Sequence, residues 1–523
     1  MKIFSLPIQF LALSAMIFLL TFLFLPMRFE ENDDIVMMLL ASGVYSGEPS
    51  SNLVFINYIL GVALSSLYQV MPELDWYPGT MLFALSACCA LGAITAIDRF
   101  RTKQAVNTFA FTVFGGLALC IIIQMQFTTA AAFTGAVGAW VVLTGRTRTL
   151  RLIGAALVLY GFLLRFDAAM LVLLVGSPFF VLAIWRQTNV LRCWLGLAGL
   201  VVIGLGLHVY SERAYQSLNP AYVAFNDVRG KVNDNPNAVL ASEILPDEIS
   251  ANDFALLVEF FPDPLEINQA DLEAIHAAVI QKEQSLTLGD WFHAFKKLLS
   301  RTTVQLVVVT LLVLVSVVPG RIQKLVLLAA CITFLAPLLY VSVFALLKER
   351  VVLAAVASVI SGLFFLNLQL VAKRTAWMAY LSLIWVSLFF LLESKDRLIS
   401  NLRVHGQFFA QSEIIQMWDG SVFVYANAVR VQYSRLFTND LDPLLGKVFF
   451  AGWMTLHPDN SAYESHQSLL AEDAALLLFA DAGADAKITL ILTALEENYG
   501  VRAVAEVVAQ NDSGLLLTFR PSP

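Results

Sequence analysis

The stretch MRFEENDDIVMMLLASGVYSGEPSS, from Met27 to Ser51, directly follows the first apolar run and decides how the rest of the chain is interpreted. Four of its first eight residues are carboxylic acids, and an apolar run begins at Ile35. Acidic side chains at the edge of hydrocarbon are costly unless they have a partner or a task. The adjacent pair Asp33 and Asp34 is therefore the leading candidate for a chemical centre. The alternative is that Asn32 or Asp33 caps a short helix starting near Ile35.

The composition of the chain places it in the polytopic membrane class. Of its 523 residues, 58% are hydrophobic and only 14% are charged, and the mean hydropathy is +0.73. The formal charge of −7 excludes nucleic acid as a natural partner, because nucleic-acid binding needs a basic face. All 5 cysteines lie in apolar runs, so neither a disulfide framework nor a thiolate metal site is predicted.

Hydropathy predicts about eleven membrane crossings. Their windows are 7–26, 80–97, 106–125, 127–144, 152–168, 169–185, 193–210, 303–319, 324–344, 351–371 and 376–392. The first window is predicted to be a retained span, because the polar flank that follows it lacks the small-residue cleavage pattern of a secretory signal.

The apolar run Leu53–Met71 is ambiguous, and the distribution of basic residues favours a surface-lying helix. If this run does not cross and Lys2 is cytoplasmic, every short basic loop falls on the cytoplasmic side, as the positive-inside rule requires. These loops are 98–103, 146–151, 186–192, 321–324 and 373–374. If the run crossed, all of them would move to the outer side. Asn57, Ser65, Ser66 and Gln69 would give such a helix polar positions that face water or a ligand.

This topology predicts a plasma-membrane protein with a cytoplasmic N-terminus and three outer segments. We expect a transmembrane domain at 1–392, with an outer loop at 27–79 and a mostly helical outer subdomain at 211–301. Residues 393–523 are expected to form an extracytoplasmic α/β domain. Trp76 and Tyr77 are interpreted as anchors at the membrane–water interface.

The segments outside the membrane have recognisable local patterns. SANDFALLVEFF and QADLEAIHAAVIQK, in the outer subdomain, begin with capping or acidic residues and continue at helical spacing. In the tail, VFVYA, KVFFAGWMTL and ALLLFADA predict strands, and 484–499 predicts a helix. The turn residues of Asn511–Gly514 lie between two apolar runs and predict a hairpin.

Basic residues also occur at the outer boundary, where the positive-inside rule predicts few. Arg165 ends one span, and Lys348 and Arg350 precede another. Arginine binds phosphate through a bidentate fork and lysine binds it as a point charge, so these three are candidate phosphate ligands. The alternative is local ion pairing, Arg165 with Asp167 and Lys348 with Glu349.

This arrangement resembles the GT-C superfamily of membrane glycosyltransferases. The resemblance lies in a first span, an acidic outer loop with Asp33–Asp34, a surface-lying stretch at 53–71, many further spans and a terminal outer domain. More narrowly, NDDIVMMLLASGVYSGEPS with the later LYQVMPELDWY looks like a group of uncharacterised bacterial polytopic membrane proteins. The GT-C resemblance covers residues up to about 392, and the tail contributes nothing to it.

The resemblance implies transfer of a sugar from a polyprenyl-phosphate donor to a glycan or lipid acceptor of the cell envelope, at the outer face. Asp33 or Asp34 would correspond to the family's acidic loop residue, which acts as base or metal ligand. Arg165, Lys348 and Arg350 match its phosphate-binding cations by position only.

The residues themselves leave two roles open for the carboxylates. An acceptor hydroxyl needs a base, and direct displacement with a single base predicts inversion at the anomeric carbon. Two adjacent carboxylates could instead hold a divalent cation, Mg or Mn. None of the 6 histidines shows paired metal-ligand spacing.

Two other classes of protein fit the same features. A transporter or flippase of a lipid-linked or anionic substrate would also need many spans and intramembrane charges, although no inverted hydropathy repeat is visible. A non-enzymatic envelope scaffold would carry the acidic loop as a solvated surface. An enzyme predicts that Asp33 or Asp34 lies beside Arg165, Lys348 or Arg350.

Overall fold

A computed structural model gives the fold of the chain. It describes residues 6–100, 105–187, 189–238, 245, 249–318, 320–366, 376–425, 433–438, 441, 444, 446–460 and 464–522. Lys2, 101–103 and 373–374, which the topology prediction uses, lie outside the described residues.

Helices form most of the described residues, and each of the eleven hydropathy windows overlaps at least one of them. The helices are α1 (Leu6–Phe24), α2 (Asn32–Ser42), α3 (Tyr58–Val70), α4 (Trp76–Phe100), α5 (Ala105–Ile123), α6 (Phe127–Thr144), α7 (Arg148–Leu164), α8 (Phe166–Trp185), α9 (Val190–Leu218), α10 (Pro220–Asn233), α11 (Ala251–Val258), α12 (Gln269–Gln284), α13 (Leu288–Ser300), α14 (Thr302–Val317), α15 (Arg321–Phe344), α16 (Glu349–Leu366), α17 (Ala376–Gln416) and α18 (Ala484–Tyr499). The strands are β1 (Arg28–Phe29), β2 (Gln124–Met125), β3 (Ser421–Val424), β4 (Val448–Phe450), β5 (Ala474–Leu478), β6 (Ala503–Asn511) and β7 (Gly514–Pro521).

The chain is a polytopic helical membrane protein. Within the described residues, 6 helices are long and apolar enough to cross a membrane: α1, α4, α6, α8, α9 and α15. The bent pair α13 and α14, which meet at 86°, would bring the number to 7. The other predicted crossings fall on helices that are shorter, such as α7, or that border residues outside the described ones. Helix α6 is the centre of the bundle, with 89% of its span buried.

Contacts between distant segments bring the predicted outer ends together at one face. Strand β1, just after α1, pairs in parallel with β2, which follows α5. The Asn57 backbone N–H donates to the Leu163 carbonyl at the end of α7. At the end of α15, the Val343 carbonyl accepts a hydrogen bond from the Asn237 side chain. We call this end of the bundle the loop face.

Helix α3, which is predicted to lie along the membrane surface, is a short helix whose two ends contact the same end of the bundle. Its 13 residues extend about 20 Å, which is shorter than a hydrocarbon core of about 30 Å. Asn57 caps it by accepting a hydrogen bond from the Ile59 backbone N–H. Beyond its end, the Tyr68 hydroxyl accepts from the Tyr77 backbone N–H. Both ends of α3 therefore lie at the loop face.

The outer subdomain has its own small core between α10, α11 and α12. Phe225, Leu257 and Ile275 are buried members of it. Both predicted helices are present: Ser250, the first residue of one predicted stretch, caps α11, and Asn268, one residue before the other stretch, forms a capping box with Asp271 at α12. These caps satisfy backbone donors that a helix terminus otherwise leaves unpaired.

The tail folds into a five-stranded mixed sheet of order β4-β3-β5-β7-β6. Strands β3, β4 and β5 are parallel, and β6 and β7 form the predicted antiparallel hairpin. Helix α18 has the predicted bounds. The expected domain boundary at 392/393 lies inside α17, a continuous helix of 41 residues that joins the membrane bundle to the sheet.

Candidate active site

The acidic loop enters α2 directly, and this overturns the capping alternative. Helix α2 begins at Asn32, three positions before Ile35, and its N-cap is Glu31, which makes no side-chain capping bond. Asp33 and Asp34 therefore stand in the first turn of the helix. A carboxylate there is favoured by the helix dipole and is free to bind groups from other segments.

Asp34 is fully buried and held in place by other residues. Its Oδ1 accepts hydrogen bonds from the Tyr77 hydroxyl and from the Phe127 backbone N–H, both at 3.1 Å. Its Oδ2 is buried and has no hydrogen-bond partner among the described residues. Burial, reinforced by the neighbouring Asp33 charge, raises the pKa of Asp34 well above its usual range. Tyr77 is thus a buried partner of Asp34 and not an interface anchor.

Asp33 points toward the surface and has different partners. Its side chain is 26% exposed. Its Oδ1 accepts a hydrogen bond of 3.1 Å from the indole Nε1 of Trp453, in the tail domain. Its Oδ2 lies 3.6 Å from Nη1 of Arg350. The two adjacent carboxylates therefore face different groups, and only Asp33 is accessible.

Arg350, in the first turn of α16, lies between two carboxylates. Its Nη1 is 3.6 Å from both the Glu31 Oε1 and the Asp33 Oδ2. This atom makes no hydrogen bond to any described residue, since 3.6 Å is too long for one. Burial raises the pKa of Glu31, and the Arg350 charge opposes that shift. The cation is therefore near its counterions, and its buried Nη1 is left with an unsatisfied donor.

Arg165 lies against two aromatic rings. Its guanidinium is 5.6 Å from the Phe55 ring centroid and 5.4 Å from that of Phe127. Its ion pair with Asp167 is loose, at 3.8 Å. Arg165 also interacts electrostatically with Arg350 and Asp33. Arg165 therefore lies within electrostatic range of Asp33 and Arg350.

Lys348 has a different partner from the one that the ion-pairing alternative assigned. Its Nζ donates to Asp234 Oδ1 at 3.0 Å, at the end of α10. Glu349 instead pairs with Arg301 at 2.8 Å. Lys348 remains close enough to Glu31 to interact with its charge. It lies at the edge of the cluster, and α10 holds it there.

Sequence reasoning missed the aromatic half of this site. Phe55 and Trp453 contact edge to face with ring centroids 4.9 Å apart. A continuous row of half-buried side chains results, from Arg165 through Phe55, Trp453 and Asp33 to Arg350. No local pattern signals Trp453, which lies 420 positions from Asp33 in the chain.

A second cluster of charged and polar side chains connects the acidic loop to α17. Arg397, on α17, pairs with Glu393 at 3.0 Å and lies 4.0 Å from Glu30. Arg28 donates to the side-chain oxygen of Asn401, also on α17, at 2.6 Å. Burial lowers the pKa of Arg28 to about 10. These contacts fix the acidic loop to the helix that leads into the tail domain.

The donor set around Asp33 does not resemble a metal centre. Across the part of the chain that the structure describes, no three or more His, Cys, Asp or Glu side chains lie together as metal ligands would. The carboxylates of Glu31 and Asp33 have the guanidinium of Arg350 between them. Asp34 is engaged by Tyr77.

Comparisons with known proteins give one structural similarity. No protein-family model matches the sequence, and no curated protein matches it. Among solved structures, the chain is similar to ArnT from Cupriavidus metallidurans bound to undecaprenyl phosphate, with a TM-score of 0.35 and 12% identity over 98% of this chain and 97% of that one. Similarity at this level does not transfer the activity of that protein to this chain.

Proposed function

We propose that the chain is a membrane glycosyltransferase of the GT-C type. It would transfer a sugar from a polyprenyl-phosphate donor to a cell-envelope glycan or lipid, at the loop face of the plasma membrane. The observation that carries this proposal is the accessible Asp33 carboxylate beside the incompletely bonded guanidinium of Arg350. A transferase that uses a phosphate leaving group needs one base and nearby positive charge.

Asp33 is the proposed general base. It is partly exposed, whereas Asp34 is buried and receives two hydrogen bonds from protein groups. A base must come within about 3 Å of the acceptor hydroxyl, and only Asp33 has the exposure for this. Asp34 would hold the first turn of α2 against Tyr77 and α6. With a single base and direct displacement, we expect inversion at the anomeric carbon.

Arg350 and Arg165 are the proposed ligands of the donor phosphate, and Lys348 would add positive charge at the edge of the cluster. As the glycosidic bond breaks, negative charge grows on the phosphate oxygen, and fixed cations stabilise that charge. Arg350 already faces two carboxylates, so an anionic donor would exchange one weak ion pair for a charge-assisted hydrogen bond.

A small apolar pocket lies in the bundle on the same helix as Arg350. Its volume is about 20 Å³, and its lining comes from α5, α14, α16 and α17, including Val113, Val307 and Ile360. Arg350 and Ile360 are about 15 Å apart along the axis of α16. A lipid-linked donor with its phosphate at Arg350 would therefore leave its prenyl chain near an apolar part of the bundle.

A divalent cation, Mg or Mn, remains the alternative role for Asp33 and Asp34. The described ligand set does not favour it, and the steps above do not use it. Chelation tests it: we expect EDTA-treated protein to keep its transfer activity, and loss of activity that Mg or Mn restores would replace the base assignment with a metal-ligand assignment.

Substitution of the base tests the proposal. In cells, Asp33→Asn is expected to reduce a surface-glycan modification by about 10²-fold or more, with membrane abundance matched to wild type. Asp227→Asn is the matched control, because Asp227 is 60% exposed and pairs with Lys231 on the same helix. Full glycan modification in Asp33→Asn cells would reject the proposed activity and favour the transporter or scaffold class.

A further inference from the structure

We infer that Trp453 of the tail domain is a positioning residue for the Asp33 carboxylate, so that the site is incomplete without the tail. This inference rests on the proposed function and extends it to a domain that the GT-C resemblance does not cover.

Two contacts place Trp453 in the site. Its indole Nε1 donates to Asp33 Oδ1 at 3.1 Å, while its ring contacts Phe55 with centroids 4.9 Å apart. Its backbone carbonyl accepts a hydrogen bond of 2.8 Å from the Tyr222 hydroxyl of α10. Trp453 thus joins the acidic loop, the segment before α3 and the outer subdomain.

The segment 448–460 that carries Trp453 is bound to the acidic loop along its length. The Tyr45 hydroxyl accepts from the Phe450 backbone N–H at 3.1 Å and donates to Asn460 Oδ1 at 3.2 Å. Ser50 donates to Asp459 Oδ2 at 2.7 Å. These bonds flank Trp453 on both sides in the sequence, so its position is set by several independent contacts.

The backbone before Trp453 is also specialised for this placement. Gly452 has φ +73, in the left-handed region, and a Cβ at this position would lie 3.5 Å from the Phe260 carbonyl oxygen. Glycine adopts this conformation without the steric cost that other residues incur. The turn directs the chain from β4 into the short helix at Gly452–Met454, which presents the indole to the loop.

The indole and Arg350 hold the Asp33 carboxylate from two sides. Oδ1 is bound by the indole N–H and Oδ2 faces the guanidinium, so the plane of the carboxylate is defined. A base displaced by about 1 Å can lose about 10²-fold in rate. Loss of the indole donor should therefore slow transfer while leaving the phosphate-binding cations in place.

The substitution Trp453→Phe tests this role, because phenylalanine keeps an aromatic ring against Phe55 and removes the N–H. We expect surface-glycan modification to fall about tenfold, while affinity for undecaprenyl phosphate alone stays within about twofold of wild type. Trp418→Phe is the matched control: it removes an indole bond to the Asp473 carbonyl within the same domain, away from the site. Modification in Trp453→Phe cells equal to that in Trp418→Phe cells would overturn the inference.

A second measurement does not depend on activity. In protein labelled with 5-fluorotryptophan, the Trp453 resonance is the ¹⁹F signal that disappears in Trp453→Phe. It should shift in Asp33→Asn and stay in place in Asp227→Asn. An unmoved signal would show that the bond is absent. Full modification in Asp33→Asn with a shifted signal would instead reject the proposed function and leave the contact intact.

Discussion

Asp33 and Asp34 are adjacent in sequence, yet they lie in opposite surroundings. Asp34 faces inward to Tyr77 and the start of α6, and Asp33 faces outward to Arg350 and Trp453. Successive helical residues are rotated by about 100°, so one turn can send one carboxylate into the protein and the next to the surface. The pair is therefore interpreted as one accessible base and one structural acid.

Replacement of Arg350 tests the phosphate-binding role. Arg350→Gln is expected to reduce transfer by about 10²-fold or more and to weaken binding of undecaprenyl phosphate, because a fixed charge at the leaving group is lost. Arg502→Gln removes an arginine that is 81% exposed and pairs with Glu496 at the surface, and it should change neither quantity. Wild-type affinity in Arg350→Gln would assign the phosphate to another cation.

The burial of Asp34 predicts how the stability of the protein depends on pH. Its pKa is raised by burial, so above the pKa of the unfolded chain the folded protein binds more protons than the unfolded one. Stability must then decrease as pH rises from about 4 toward the folded-state pKa. Asp34→Asn keeps an oxygen acceptor but cannot ionise. Its unfolding temperature in detergent, relative to that of wild type, should therefore increase from about pH 5 to about pH 8. Parallel pH profiles for the two proteins would contradict this.

At the scale of elements, local sequence patterns were sufficient to predict those helices and strands that local interactions determine. The hydropathy windows overlap helices, the two helices predicted in the outer subdomain form as α11 and α12, and α18 has its expected bounds. Two kinds of feature could not be predicted. Helix α17 continues past the membrane boundary, because hydropathy marks the end of hydrocarbon and not of a helix. Trp453 and Phe55 reach Asp33 only through the tertiary fold.

Helix α3 makes a prediction about topology. The prediction that α3 lies along the surface requires Glu48 before it and Glu73 after it to be on the same side of the membrane. In the background of the native cysteines, Glu48→Cys and Glu73→Cys should both react with a membrane-impermeant maleimide added to intact cells. Arg148→Cys, at the start of α7 and at the opposite end of the bundle, should not react until the cells are opened. Labelling of Glu48→Cys and Glu73→Cys from opposite sides would mean that α3 crosses.

At the scale of the whole molecule, the tail is fastened to the helical part through two buried histidines. His466 Nε2 lies 3.1 Å from the Phe261 carbonyl in the outer subdomain, and His457 Nε2 lies 3.0 Å from the Asn52 carbonyl in the acidic loop. Asp263 adds a hydrogen bond from the His466 backbone N–H and another from the Tyr499 hydroxyl. The same interfaces hold Trp453 in the site, so the docking of the tail and the position of the Asp33 carboxylate depend on the same contacts.

The two histidines predict that docking weakens in acid. Burial lowers the pKa of both His457 and His466, and the facing carboxylates Asp459 and Asp263 oppose this only in part. The undocked tail would therefore bind more protons than the docked one below the ordinary histidine pKa of about 6.5, and the docked state must lose stability as pH falls through that value. Limited proteolysis should cleave the 448–470 region faster at about pH 5 than at about pH 7.5.

A His457→Gln/His466→Gln variant should lose this pH dependence, because glutamine does not titrate, whereas His405→Gln, on α17 and away from both interfaces, should retain it. Equal acid sensitivity in the double variant would assign the effect to the carboxylates and not to the histidines.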